Sequence, residues 1–192
     1  MPQDNLYKNE MIRPGDAKGA KWVGSLYEMA EVLSSAVLCI AVLFSFVLRF
    51  AAVDGISMEP TLEDGQQLAT TAALFRPARG DIVVLSANNG HERPLVKRVV
   101  AVAGEEIDLV DGAVLIDGAP IGEPYLPDGV MTYPASGALT YPARVPAGHI
   151  FVMGDNRGRS SDSRGSLVGF VRADDIIGKV LFRVKPFLKS IP

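Results

Sequence analysis

Leu95-Val-Lys-Arg-Val-Val-Ala-Val-Ala103 is a β-branched stretch with two cations set inside it. Valine carries two heavy atoms on Cβ, which restricts its rotamers in a helix and suits it to a pleated strand. A strand is therefore the expected form. Side chains alternate across a strand, so Lys97 shares one face with Leu95, Val99 and Ala101, and Arg98 shares the other with valines. Alternation alone leaves open which cation is buried. The same character continues outward in DIVVL (81–85), EIDLV (106–110), AVLID (113–117), HIFVMG (149–154) and IIGKVLFRV (176–184), separated by Gly, Pro, Asp and Asn. Residues 54–192 thus read as a mainly β domain. Asp111-Gly112 and Asp117-Gly118 are tight-turn signals on either side of Ala113–Ile116, which predicts a small meander. Residues 119–148 carry six prolines and few strand signals, so a loop-rich insertion is expected there.

Toward the N-terminus the pattern changes. Val32 to Leu48 reads VLSSAVLCIAVLFSFVL, 17 residues without a charge. At a rise of about 1.5 Å per residue they span roughly 26 Å of a hydrocarbon layer about 30 Å thick. Arg49 can snorkel outward and let the apolar stretch continue to Val53, giving a transmembrane anchor over 32–53 whose helix stops near Gly55. A cleaved secretory signal and a buried core helix are the competing readings of such a run. Residues 1–31 are polar, mixed in charge and interrupted by Pro14, Gly15, Gly19 and Gly24, as expected of a loose tail. Lys8, Arg13, Lys18 and Lys21 precede the run and Arg49 alone follows it closely. That bias predicts a single pass through the cytoplasmic membrane, with the N-terminus in the cytoplasm and the β domain on the outer face.

With 192 residues, 48% of them apolar, the chain can bury one sizeable core. A formal charge of −3 gives no electrostatic case for a nucleic acid partner. The lone Cys39 cannot form an intrachain disulfide. Neither a HExxH nor a paired CxxC spacing occurs, so no metal site is expected. His91 lies in the polar loop NNGHERP and His149 precedes a strand, so neither is singled out as a base.

Two other places offer chemistry. Asp54-Gly-Ile-Ser-Met-Glu-Pro-Thr-Leu62 sets a serine between a glycine turn and a proline, where an irregular backbone leaves a hydroxyl accessible. A hydroxyl at its ordinary pKa is a weak nucleophile and needs a base beside it. Lys97 becomes one if burial strips its water and lowers its pKa from about 10.4. The plain alternatives are a turn serine and an edge-strand lysine reaching to solvent. Phe151-Val-Met-Gly-Asp-Asn-Arg-Gly-Arg-Ser-Ser-Asp-Ser-Arg164 runs from a strand into a dense polar loop. Three arginines among its acids and the wrong ligand spacing argue against a calcium loop.

In order, GISMEPTL (55–62), RGDIVVL (79–85), LVKRVVAVAGE (95–105) and GHIFVMGDNRGRSSDSRG (148–165) resemble the motifs of the type I signal peptidases. These are membrane-bound Ser-Lys proteases that remove signal peptides from exported preproteins. The resemblance covers roughly residues 50–182 and includes the position of a single N-terminal anchor. It implies an all-β catalytic domain of coiled antiparallel sheets, with Ser57 as nucleophile and Lys97 as general base. It also implies a Ser160 hydroxyl that orients the lysine, and an Asp162–Arg164 ion pair beneath the site. Met58, Leu95 and Val96 would line shallow pockets for the small side chains of Ala-X-Ala sites. Exported preproteins and the lipid bilayer are the implied partners, with no metal or cofactor. Gly55 departs from the pattern, since many relatives carry Ser or Thr there as a second oxyanion donor. A hole made of backbone donors is therefore expected. Arg164-Gly-Ser-Leu-Val-Gly169 also departs from the family's aromatic-Gly-Pro continuation. A self-cleaving Ser-Lys repressor would need a DNA-binding domain where this chain has its apolar run. A non-catalytic protein that only binds exported chains would have no need of Ser57, Lys97 and Ser160 together.

Overall fold

Val83 pairs with Lys97, and Ile82 with Arg98, across two antiparallel strands that are buried on both faces. These belong to a computed structural model that describes residues 16–71, 75–88, 91–135, 137, 139–185 and 189–190. The chain divides into two units, Met1–Leu43 and Phe44–Pro192.

The first unit contains helix α1 (Asp16–Val42), followed by a π-helical turn at Leu43–Val47. Gly24–Ser45 is 22 residues long and apolar enough to cross a membrane. Its side chains, Leu33, Val37, Leu38 and Ile40 among them, are exposed. Two expectations are corrected here. Residues 16–31 are helical where a loose tail is expected, and residues 1–15 of that tail lie outside the described residues. At the other end the helix does not run on toward Gly55. Leu48–Ala52 form strand β1, because their backbone groups pair with Gln67–Thr71 in register from Leu48↔Thr71 to Ala52↔Gln67. A ladder with a distant strand has overridden the local apolar continuity.

The second unit is mainly β. Its strands are β1, β2 (Gln67–Thr71), β3 (Ile82–Leu85), β4 (Leu95–Val102), β5 (Glu106–Val110) and β6 (Ala113–Ile116). They continue with β7 (Ala119–Pro120), β8 (Ala143–Arg144), β9 (His149–Met153), β10 (Val171–Arg172), β11 (Ile176–Lys185) and β12 (Lys189–Ser190). The larger sheet runs β1-β2-β11-β3-β4-β9-β10, with β12 on β11, and the smaller runs β7-β6-β5-β8. Every pairing is antiparallel. β11 carries three register shifts, the kind of irregularity that adds twist and curls a sheet. At the one beside β3, Gly178 lets the strand approach β2 closely, since a Cβ there would stand 2.9 Å from the Thr71 carbonyl. The meander is present: Asp111-Gly112 and Asp117-Gly118 all take positive φ and join β5, β6 and β7 by two-residue turns. Between β7 and β8 the described residues form neither helix nor strand.

Three apolar clusters hold the unit together. Ile82 and Val84 of β3 point into one with Met58, Leu62 and Leu68. Val83 and Leu85 point into another with Leu95, Val99 and Val152. The third joins the two sheets through Ile107, Val114, Phe151 and Met153. A central strand buried on both faces reads as an uninterrupted apolar run, which explains DIVVL. Ala101, expected on the face of Lys97, is not there. A bulge between Val99 and Ala101 reverses the alternation, so Val99 packs in one cluster and Ala101 in another.

Candidate active site

Gly55 opens the loop that carries Ser57. Its φ of +94° is a conformation that side chains resist, and its N–H donates to Asp64 Oδ1 at 2.7 Å. Directly after Ser57, Met58 is buried with Leu62, and the two are joined by a Leu62 N–H to Met58 C=O bond of 2.9 Å. Ser57 is therefore held between a glycine turn and an apolar anchor, at the wall of an open cleft that Leu95, Val96 and Lys97 also line. Met58 does not line that cleft. It is 1% exposed and packs into the core instead, whereas Leu95 and Val96 line the cleft.

Lys97 reaches the same cleft from the centre of the larger sheet. Although it lines the wall, the residue as a whole is only 2% exposed. Its Nζ donates to Ser57 Oγ at 2.7 Å and to the Val96 carbonyl at 2.9 Å. Burial lowers the Lys97 pKa from 10.5 to about 8, with Asp162 acting against the shift and Arg93 adding to it. At that value a minor share of the amine, about a tenth to a fifth, is neutral between pH 7 and 7.4.

Behind the lysine, the Asp162 and Arg164 side chains pair in fork geometry, Nε to Oδ1 at 2.8 Å and Nη2 to Oδ2 at 2.9 Å. Oδ2 also accepts the Gly154 N–H at 3.0 Å. Burial alone would raise the Asp162 pKa, but the Arg164 guanidinium and the Gly154 N–H outweigh it and hold the carboxylate below its ordinary value. Ser160 lies close enough to contribute to that lowering, yet its buried hydroxyl closes no well-formed hydrogen bond, to Lys97 or to any other described residue. Ser160, Asp162 and Arg164 are thus gathered at the site, without the expected Ser160–Lys97 bond. Gly154 is required by the packing, because a Cβ there would overlap both the Ser160 hydroxyl and the Ser57 carbonyl.

The structure adds residues that sequence reasoning passed over. Arg98 is as buried as Lys97 and forks onto Asp155 at 3.0 and 2.8 Å, so both faces of β4 hold a buried cation. Thr61 Oγ1 donates to Asp155 Oδ2 at 2.6 Å, tying the loop after Ser57 to the loop after β9. Asn156 bonds the Ser57 loop through its backbone and its side chain. His91 lines the cleft with its Nε2 2.7 Å from Ser161 Oγ. The available signal was the Gly-Asp-Asn run directly after a strand, which promises a sharp turn but names no partner. No group of metal-ligating side chains occurs among the described residues.

The sequence that folds into this unit is similar to known proteins. The family model described as "Signal peptidase, peptidase S26" matches residues 26–185. Signal peptidase I of Bacillus licheniformis is 34% identical over 181 residues, covering 90% of this chain and 95% of that protein. Signal peptidase I T of Bacillus subtilis (strain 168) is 35% identical over 176 residues, covering 87% and 89%. Signal peptidase I of Bacillus caldolyticus is 39% identical over 163 residues, covering 79% and 87%. A solved signal peptidase I from Enterococcus faecalis V583 is 28% identical, with a TM-score of 0.45 over 56% of this chain and 98% of its own. With the family match running from α1 to the end of β11, the chain belongs to the S26 signal peptidase family.

Proposed function

We propose that this serine endopeptidase removes N-terminal signal peptides from exported preproteins through a Ser57–Lys97 dyad. The observation that carries the reading is the 2.7 Å contact between Lys97 Nζ and Ser57 Oγ, made by an amine that burial has moved to a pKa of about 8. Neutral Lys97 accepts the Ser57 hydroxyl proton as Oγ attacks the scissile carbonyl carbon. The tetrahedral oxyanion that forms is held by the Ser57 backbone N–H. The Lys97 ammonium then protonates the departing amine, leaving a Ser57 acyl-enzyme. Lys97, neutral again, takes a proton from water, the hydroxide attacks the ester, and Ser57 leaves with that proton. Asp162 and Arg164 support the site as a buried ion pair, and the Ser160 hydroxyl is the group that orients the lysine.

Leu95 and Val96 in the cleft wall favour small apolar side chains, in keeping with Ala-X-Ala sites. The exposed apolar stretch Gly24–Ser45 supports a single bilayer anchor. The charge bias of the N-terminal region supports a cytoplasmic N-terminus, with the β unit on the outer face. A domain scheme follows from the helix limits: an N-terminal tail, an anchor within α1 and its turn, and a catalytic unit that begins with β1.

The test is incubation of the purified full chain in detergent with a preprotein carrying an Ala-X-Ala site, with mass spectrometry of the products. One cut after the second alanine is expected, and none with Ser57→Ala or Lys97→Ala. Retained cleavage in either variant overturns the dyad.

A further inference from the structure

A residue from a distant loop holds the peptide planes on both sides of Ser57. The Asn156 backbone N–H donates to the Ser57 carbonyl at 3.0 Å. The Asn156 side-chain Nδ2 donates to the Ile56 carbonyl at 3.1 Å, across 100 positions of sequence. A second bond to the Ile56 carbonyl, from the Glu59 N–H at 3.2 Å, is internal to the loop. Each residue has two soft backbone dihedrals, so fixing both flanking carbonyls fixes the conformation of Ser57.

The direction of the Ser57 N–H follows. Among the described residues the cis peptides are Glu59-Pro60 and Tyr141-Pro142, so Ile56-Ser57 is trans. In a planar trans peptide the carbonyl and the N–H point opposite ways. Aiming the Ile56 oxygen at Asn156 therefore aims the Ser57 N–H away from it. That N–H has no hydrogen-bond acceptor among the described residues, on a segment that lines the cleft. Immediately upstream, the Gly55 N–H is held by Asp64 Oδ1 at 2.7 Å, while no heavy atom lies within 4 Å of where its Cβ would be. Gly55 also brings no hydroxyl of its own. A loop whose oxyanion donor is a backbone N–H needs its peptide planes fixed to keep that donor aimed.

We propose that Asn156 is a positioning residue for catalysis, locking the Ile56–Ser57 peptide so that the Ser57 N–H meets the oxyanion of the tetrahedral intermediate. The proposal rests on Ser57 being the nucleophile. Asparagine suits the task because its amide nitrogen donates to a carbonyl while the residue's own backbone N–H serves the next one. Aspartate in its place would set a carboxylate against the Ile56 carbonyl oxygen.

The test compares Asn156→Ala, Asn156→Asp and Asn156→Gln in the full chain in detergent, with Ser57→Ala as control. Two ligands are used with the steady-state assay: a peptide aldehyde that forms a tetrahedral adduct with Ser57, and the same peptide ending in a primary amide. Misaiming one oxyanion donor should lower kcat by about 10- to 100-fold. KM and amide affinity should stay unchanged, and aldehyde affinity should fall by the same factor as kcat. The pH midpoint of Asn156→Ala should not move, and Asn156→Gln should recover part of the loss. An unchanged kcat overturns the proposal, and so does an equal loss of aldehyde and amide affinity, which would mark a merely structural role. If Asn156→Ala does not fold, the isosteric Asn156→Asp gives the same comparison. Should Ser57→Ala keep turnover, the dyad reading falls and this one with it; if Ser57→Ala is inactive, the Asn156 result stands or falls alone.

Discussion

Lys97 Nζ stands 2.7 Å from Ser57 Oγ at the end of a side chain that is almost entirely out of water, so the same burial that brings the two together also sets their chemistry. An ammonium has no lone pair and cannot accept the serine proton. With the Lys97 pKa lowered by burial to about 8, kcat/KM should rise with pH, reach half its maximum near pH 8 and level off above it. Measuring cleavage of a peptide substrate across pH 6 to 10 checks this. A flat profile, or a midpoint near that of a free lysine, contradicts it.

The same shift predicts a stability effect. Between pH 8 and 10.5 the unfolded lysine holds a proton that the folded one lacks, so Lys97 makes stability rise with pH over that window. Below pH 8 its full burden of roughly 3 kcal/mol is present. Lys97→Met should abolish activity yet raise Tm at pH 7, and its advantage should shrink as pH approaches 10.5. Thermal melts at pH 7 and 10 decide the matter.

The strands were legible because Val and Ile runs have one physical use in a two-faced sheet, and the Asp-Gly pairs because few dipeptides accept two positive φ values in succession. The end of the helix was not. Leu43 to Ala52 continue the apolar run with Arg49 as their one charge, and only pairing with Gln67–Thr71 turns Leu48–Ala52 into a strand. The bulge after Val99 was invisible for the same reason, since it is defined by β9 and not by β4. At the site, Ser57 and Lys97 stood out by their surroundings and by resemblance. His91 and Asn156 did not, because their partners lie 70 and 100 positions away and a polar loop residue gives no hint of them. The resemblance implies a pocket-lining Met58, but the turn from Met58 to Leu62 packs it into the core.

Gly55→Ser restores the hydroxyl that many relatives carry, but at φ +94° it introduces backbone strain of about 1 to 3 kcal/mol. Turnover should not increase, and the melting temperature should fall. Gly55→Ala should show the same loss of stability, since the strain comes from the Cβ. A clear gain in kcat for the serine variant alone would mean that the hole lacks a donor.

Gly154→Ala should be far more damaging than its small size suggests. The added methyl overlaps the Ser160 hydroxyl and the Ser57 carbonyl, the group that accepts the Asn156 N–H. Displacement of the Ser57 loop by about an ångström should lower kcat by about 100-fold, with a stability loss of about 1 to 3 kcal/mol from overpacking. Gly158→Ala is the control: no atom lies within 4 Å of its Cβ position, so activity and Tm should match the parent.

Arg98 and Asp155 form a buried pair, 1% and 2% exposed, and each has further partners. Arg98 Nη1 donates to the Gly80 carbonyl at 2.9 Å, its Cζ lies 3.8 Å from the Tyr125 ring centre, and Asp155 accepts from Thr61. Asp155→Ala strands a guanidinium in the core, at an expected loss of about 3 to 5 kcal/mol. Removing both charges leaves no uncompensated ion, so Arg98→Met with Asp155→Leu should be distinctly less destabilised than Asp155→Ala. Denaturant unfolding of the single and double variants measures the difference. A double variant as unstable as Asp155→Ala would mean that the pair holds the loop after β9 by geometry and not by charge balance. The Tyr125 contact adds a second readout, since it joins the loop-rich insertion to the strand that carries Lys97. Tyr125→Leu should therefore lower Tm while leaving the pH midpoint near 8.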